Sequence, residues 1–192
     1  MTAQLVTPSF TSNIHKFTVQ QYHLMHEAGV FAEGDRYELI NGEIREMSPI
    51  GIKHAVCVAR LTKQFERKLG DQAIIWTQNP IRLSDQSEPQ PDLAILKLRD
   101  DFYASALPTP EDILLIIEVA DSTITYDRDV KAPLYAANGI PEMWLFDVNQ
   151  QIIEGYSQPS ASGYKRSQRY EQGDTLSLLT FPEVVFNWEA LM

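Results

Sequence analysis

Three charged side chains in an apolar neighbourhood suggest chemistry first. Asp92 opens the run Gln90-Pro91-Asp92-Leu93-Ala94-Ile95-Leu96, and Glu118 is the one charge in Ile-Leu-Leu-Ile-Ile-Glu-Val-Ala, residues 113–120. Lys131 follows in a helix-like stretch that also carries Asp127 and ends at Gly139. A carboxylate inside a Val/Ile/Leu strand must be paired, protonated or metal-bound, because an isolated buried charge is too costly. Two strands each delivering one carboxylate, followed by a helix delivering one ammonium, suggest a metal site. Asp127, Lys131 and Tyr135 are spaced by four and share a helical face. A buried salt bridge between Lys131 and one carboxylate is the plainer account of the same pattern.

The elements around these residues follow from periodicity. Thr18 caps a short helix that stops at Gly29. Its His23, His26 and Glu27 stand in the order HxxHE, which does not place ligands and base as the metalloprotease HExxH does. Asn41-Gly42 predicts a hairpin with a type I′ turn. The turn sets Glu38 across from Arg45, which can neutralise it, and leaves Glu43 without an evident cation. Ala55, Val58, Leu61, Phe65 and Leu69 form the core stripe of an amphipathic helix over 50–69, with His54 at its edge. Lys53, Arg60, Lys63 and Arg67 form a second stripe, either plainly solvated or facing phosphates.

Residues 73–77, 80–84 and 90–96 read as three successive strands, followed by 113–120, a helix over 127–138, and 142–148. Pro133 makes that helix start near Asp129 or bend there. The remainder reads as added antiparallel strands and a terminal helix. The fold class is therefore α/β with a mixed sheet covered on both faces, an α/β/α core. We expect one domain over 1–192, with a loose arm at 1–16.

Composition narrows the function. The chain has 192 residues, 44% hydrophobic and 22% charged, as in a globular protein. One cysteine, Cys57, rules out an internal disulfide framework. Neither a signal-peptide pattern nor a membrane-spanning run is visible, which predicts a cytoplasmic protein without a membrane partner. A net charge of −10 argues against a generic nucleic-acid binder, but an acidic chain with one basic helix and a divalent metal can still hold a phosphate backbone. No GxSxG elbow, Walker loop or GxGxxG is present, and Cys57 has no evident base.

The segments 37–49 (YELINGEIREMSP), 90–96 (QPDLAIL), 114–131 (LLIIEVADSTITYDRDVK) and 135–148 (YAANGIPEMWLFDV), with His54 between the first two, resemble the PD-(D/E)XK nuclease superfamily. More closely they resemble the bacterial putative restriction endonuclease family. The superfamily pattern places its lysine two residues after the glutamate, where this chain has Ala120; Lys131 stands where the resembled family carries it. The resemblance implies a restriction-endonuclease-like core and a nuclease using Mg²⁺ or Mn²⁺ on DNA. It implies Asp92 and Glu118 as metal ligands with the Val119 carbonyl, Glu43 as holder of a second metal, and Lys131 as the group positioning water or stabilising the transition state. A homodimer is expected of an enzyme that cuts two strands. A catalytically silent nuclease-like fold that binds nucleic acid or a protein is the competing reading.

Overall fold

The computed structural model describes residues 14–192, so most of the expected arm at 1–16 lies outside the described residues. Directly after it, the Phe17 N–H donates to the Gly42 carbonyl at 2.9 Å. Helix α1 (Val19–Glu27) starts on a Thr18–Gln21 capping box, and Gly29 leaves it at a φ of +68°. Strands β1 (Tyr37–Ile40) and β2 (Glu43–Glu46) form the expected hairpin, Glu38 opposite Arg45 and Ile40 opposite Glu43. Asn41 and Gly42 both take positive φ, as a type I′ turn requires. At Gly42 a β-carbon would also strike Lys16.

Helix α2 (Ile52–Leu69) buries Cys57, Val58, Leu61, Phe65 and Leu69. Ala55, expected in that stripe, is exposed. At about 100° per residue, His54 falls on the centre line of the buried stripe and Ala55 roughly a quarter-turn away. The stripe thus opens on a histidine, not at its edge.

The central sheet has six strands in the order β3 (Ile74–Thr77), β4 (Leu93–Leu96), β5 (Ile113–Ala120), β6 (Glu142–Asp147), β7 (Ile152–Ser160), β8 (Gly163–Tyr170). Among the described residues only β5 and β6 pair in parallel. The expected strand at 80–84 does not join the ladder. Pro80, Pro89 and Pro91 remove donors from both arms of this segment, which folds back through a Ser84–Ser87 bridge while still burying Ile81 and Leu83.

Alternation along β5 divides the core. Leu115, Ile117 and Val119 face α2 and the terminal helix α5 (Trp188–Leu191), beside a small ribbon of β9 (Thr175–Ser177) and β10 (Val185–Asn187). Ile116 and Ala120 face the opposite layer, with Glu118 between them on the same side by period two. That layer is the crossover from β5 to β6: α3 (Ile124–Tyr126), a π-helical turn (Asp127–Lys131) and α4 (Ala132–Ala137). The fold is the mixed α/β/α sandwich that the strand pattern predicted. Among the described residues no helix is long and apolar enough to cross a membrane.

Candidate active site

A cavity of about 680 Å³ opens where β4 begins, β5 ends, and the hairpin, the start of α2 and the π-helical turn converge. Asp92 and Glu118 meet there because of register. The last β4–β5 pair is Leu93 opposite Ile117, so one step further Asp92 stands against Glu118. Asp92 Oδ2 accepts the Val119 N–H at 2.8 Å, in place of the ladder that has just ended. In an extended strand a residue's N–H and C=O leave the same edge, so the Val119 carbonyl also points towards Asp92.

The crossover brings up the lysine. Pro133 has no N–H to donate, and the turn before it widens: the Ala132 N–H reaches the Asp127 carbonyl five residues back. The helix starts at Ile124, ahead of Asp129, and accommodates Pro133 by a π turn over Asp127–Lys131, a feature frequent at functional sites. Asp127, Lys131 and Tyr135 are all buried on one side of it, as their spacing predicts. Lys131, 4% exposed, lies 3.2 Å from Glu118 Oε1 and 3.2 Å from Glu38 Oε2. The Tyr135 hydroxyl donates to Glu118 Oε1 at 2.6 Å, and Thr123 donates to Asp127 Oδ2 at 2.6 Å.

The hairpin carboxylate in this cluster is Glu38, not Glu43. Glu38 is buried, accepting from the Tyr126 hydroxyl at 3.2 Å and the Gln90 N–H at 3.3 Å besides Lys131. Glu43 lies at the solvent edge outside the cavity, paired with Lys16 at 2.6 Å and with Arg45. Arg45 turns to its neighbour on the exposed side of its own strand, and Glu38 is neutralised by Lys131 from 93 residues away, a partner no local pattern reveals. Arg45, expected opposite Glu38, and Arg36 both line the cavity. Of the basic stripe, Lys53, Arg60, Lys63 and Arg67 are exposed and none lines the cavity; Lys53 donates to Asn149 at 2.8 Å and Arg67 to Gln64 at 2.8 Å.

His54 reaches the site from the first turn of α2, its Nε2 2.9 Å from Asp92 Oδ1. The hydrogen bond to Asp92 raises its pKa against the opposing effect of burial. At Gly51, three residues earlier, a β-carbon would lie 2.7 Å from Asp121 Oδ2, so that side chain would have to shift. Cys57 is buried behind the site, and burial pushes its thiol up to about 12, so it is no nucleophile.

Charge is out of balance in this cavity. Glu38, Glu46, Asp92, Glu118, Asp121, Asp127 and Asp129 line it against Arg36, Arg45 and Lys131. Burial raises the pKa of Glu118 well above the ordinary value, with Asp127 and Asp92 adding to the rise and Lys131 opposing it. Asp127 is raised by burial too, again opposed by Lys131. Lys131 itself is disfavoured as a cation by burial, but Glu118, Glu38 and Asp127 more than offset this and raise its pKa. Within the buried part of this set, Lys131 alone faces Glu38, Asp92, Glu118 and Asp127, and one ammonium cannot neutralise four carboxylates. The donors are oxygens, the type a hard divalent cation takes, and the surplus of carboxylates fits one. As the side chains stand, Lys131 lies between Glu38 and Glu118, and among the described residues no three His, Cys, Asp or Glu side chains are arranged to hold a metal ion.

No curated protein matches the chain. The fold is similar to the crystal structure of a "putative nuclease belonging to DUF820" from Anabaena variabilis, with a TM-score of 0.68 and 16% identity over 81% of this chain and 88% of that one. A family model described as "Uma2: Putative restriction endonuclease" matches residues 19–189, from the first residue of α1 to the middle of α5 and across every element that builds the cavity. With that much of its length matched, the chain belongs to the Uma2 family of putative restriction endonucleases.

Proposed function

We propose that this protein is a divalent-metal-dependent nuclease that hydrolyses DNA phosphodiester bonds in the cavity at the end of β5. The observation that carries the reading is the buried surplus of carboxylate at the point where β4 and β5 deliver Asp92 and Glu118 side by side. Asp92, Glu118 and the Val119 carbonyl would hold Mg²⁺ or Mn²⁺, which when bound supplies charge neutralisation at phosphate and a water made acidic enough to attack.

The chain's own groups do the remaining work. Val119 N–H and His54 hold the Asp92 carboxylate in place from opposite oxygens. Tyr135 fixes the orientation of Glu118. Lys131 presents its ammonium between Glu118 and Glu38, placed to position a water or stabilise charge building on phosphate oxygens. Arg36 and Arg45 at the wall offer further cationic partners for the phosphates, and the α2 stripe is a candidate outer track for the backbone. Glu38 supplies the hairpin carboxylate of this site by holding the lysine, whereas Glu43, expected to hold a second metal, lies outside the cavity.

One observation favours a silent binding fold: Lys131 already engages Glu38 and Glu118 and leaves no three-carboxylate cage. Calorimetric titration with Mn²⁺ separates the two readings, alongside cleavage assays on plasmid and single-stranded DNA. The nuclease binds Mn²⁺ at a site lost in Asp92→Asn and cleaves only with metal. DNA binding with neither metal uptake nor cleavage assigns the silent fold. Sedimentation of the same samples tests the expected homodimer.

A further inference from the structure

The HxxHE helix, which the metal cavity does not use, lines a cleft of its own. This second cavity, about 420 Å³, lies between α1 and the 80–90 segment. Tyr22, His26 and Tyr37 present rings to it, and Glu88 and Gln90 close its polar side. The Tyr22 and His26 rings meet edge-on at 4.7 Å, and Phe31 packs behind His26 at 4.5 Å and Tyr37 at 4.6 Å. These contacts hold the aromatic wall in place.

Glu88 is what the packing of the fold leaves unexplained. It is 5% exposed, its Oε1 lies 2.7 Å from His23 Nε2, and its buried Oε2 has no hydrogen-bond partner among the described residues. A buried carboxylate oxygen without a donor is costly. Among the described residues none supplies that donor; Glu88 lines the cleft, so a donor seated there could serve once the carboxylate, whose Oε2 is closed off from solvent, turns towards it.

The two cavities share Gln90 as a wall. Its backbone N–H donates to Glu38 on one side, its amide group donates to the Gln78 carbonyl, and its Oε1 accepts from Arg36 at 3.5 Å. A ligand in the second cleft therefore lies next to the carboxylates of the first. Resting on the nuclease reading, we propose that the second cleft is a subsite for an unpaired nucleobase adjacent to the scissile phosphate, with Glu88 accepting its exocyclic amino group. Unstacked bases are bound between aromatic rings and read along their hydrogen-bonding edges. A carboxylate accepts from the exocyclic amino group of cytosine, adenine or guanine, whereas thymine has no amino group and offers only an N3–H flanked by two carbonyls that repel the carboxylate. The cleft thus favours an amino-bearing base over thymine.

The test uses the whole wild-type protein without metal. The imidazole proton resonances of His23 and His26 are followed by NMR as deoxycytidine, deoxyadenosine or thymidine is added; nucleosides carry no phosphate that the histidines themselves could bind. The first two should shift both rings, and thymidine should bind about tenfold more weakly. Glu88→Gln, with its fold checked by the same spectra, should reduce that preference to near parity. Silent histidines overturn the proposal, as do equal shifts from all three nucleosides. So do shifts produced by Zn²⁺ and by none of the nucleosides, which would make the helix a metal site. Cleavage is measured separately: active enzyme with silent histidines removes this subsite alone, whereas base-dependent shifts in a protein that cleaves nothing support the subsite and strike only the nuclease reading.

Discussion

Two glutamates on adjacent central strands show what distinguishes a site from a core. Glu118 near the end of β5 and Glu142 at the start of β6 are almost equally buried, at 2% and 5% exposed, and burial raises the pKa of both. Glu142 is answered entirely by neutral donors: the Trp144 indole N–H at 2.8 Å on Oε1 and the Leu179 N–H at 2.8 Å on Oε2. It lines neither the cavity of Glu118 nor the second cleft, and it ties the 178–179 turn to the sheet. Glu118 instead shares a cavity with other acids and one lysine. A buried carboxylate in an apolar strand is therefore no signature of chemistry by itself. The signature is a charge that its neighbours do not satisfy.

The sharpest way to break this distinction is substitution at both positions. Glu118→Gln and Asp92→Asn should abolish Mn²⁺ binding and reduce cleavage by about 10³-fold or more. Glu142→Gln should leave both near wild type. Calorimetry and a plasmid-nicking assay on the three variants read this directly. Metal uptake unchanged in both site variants would remove Asp92 and Glu118 from the metal centre.

Lys131 comes next in size. It is buried against two carboxylates, so Lys131→Ala strands them and should cost about 3–5 kcal/mol of stability without metal. Turnover should fall by about 10²–10⁴-fold. Added Mn²⁺ should recover part of the lost stability, because a cation then answers the same carboxylates; thermal melts with and without Mn²⁺ measure it. A melting temperature and cleavage rate equal to wild type would show that the ammonium matters to neither fold nor reaction.

Much of this was legible from residue order, for reasons that can be stated. Period-two alternation in 113–120 sets Glu118 on one face, Asn41-Gly42 fixes the hairpin register, and spacings of four place Asp127, Lys131 and Tyr135 together. Each is a local rule. The partner of Glu38 was not legible, because the hairpin offers Arg45 two residues from Glu43 and opposite Glu38, and only the fold says which is buried. Ala55 fits the three-and-four spacing but lies off the buried face; Cys57, four before Leu61, is the better guide and sets His54 in line with the core stripe. The segment at 80–84 looked like a strand by its apolar residues, yet its flanking prolines carried the stronger signal. Glu142 was passed over because nothing local separates it from a surface residue at a strand start.

A third comparison of the two glutamates concerns fold alone. Glu142→Gln keeps one acceptor and turns an amide N–H₂ towards a donor, the Leu179 N–H or the Trp144 indole. One buried donor is then unsatisfied, and the expected cost is about 1–3 kcal/mol. It should be the same with and without Mn²⁺, unlike the metal-sensitive loss at Lys131. Chemical denaturation in both conditions checks it, and a metal-dependent cost would tie Glu142 to the cavity after all.

The smallest effect separates the two by pH. Burial raises the folded-state pKa of each glutamate above its ordinary value of 4.5. A raised carboxylate is more easily protonated folded than unfolded, so its favourable contribution is complete below the unfolded pKa. That contribution is lost as pH rises through the folded pKa, at up to about 1.4 kcal/mol per pH unit for each group. Without metal, wild type should lose stability relative to Glu118→Gln on going upward from about pH 4.5, and likewise relative to Glu142→Gln. With saturating Mn²⁺ the two curves should part. Glu118 is then ionised against a cation, so its slope should vanish or reverse, whereas the Glu142 slope should persist because neutral donors remain its only partners. Urea denaturation of wild type and both variants at several pH values, with EDTA or Mn²⁺, provides the four differences between wild type and variant. Identical metal responses at the two positions would mean that Glu118 is a core carboxylate of the same kind as Glu142.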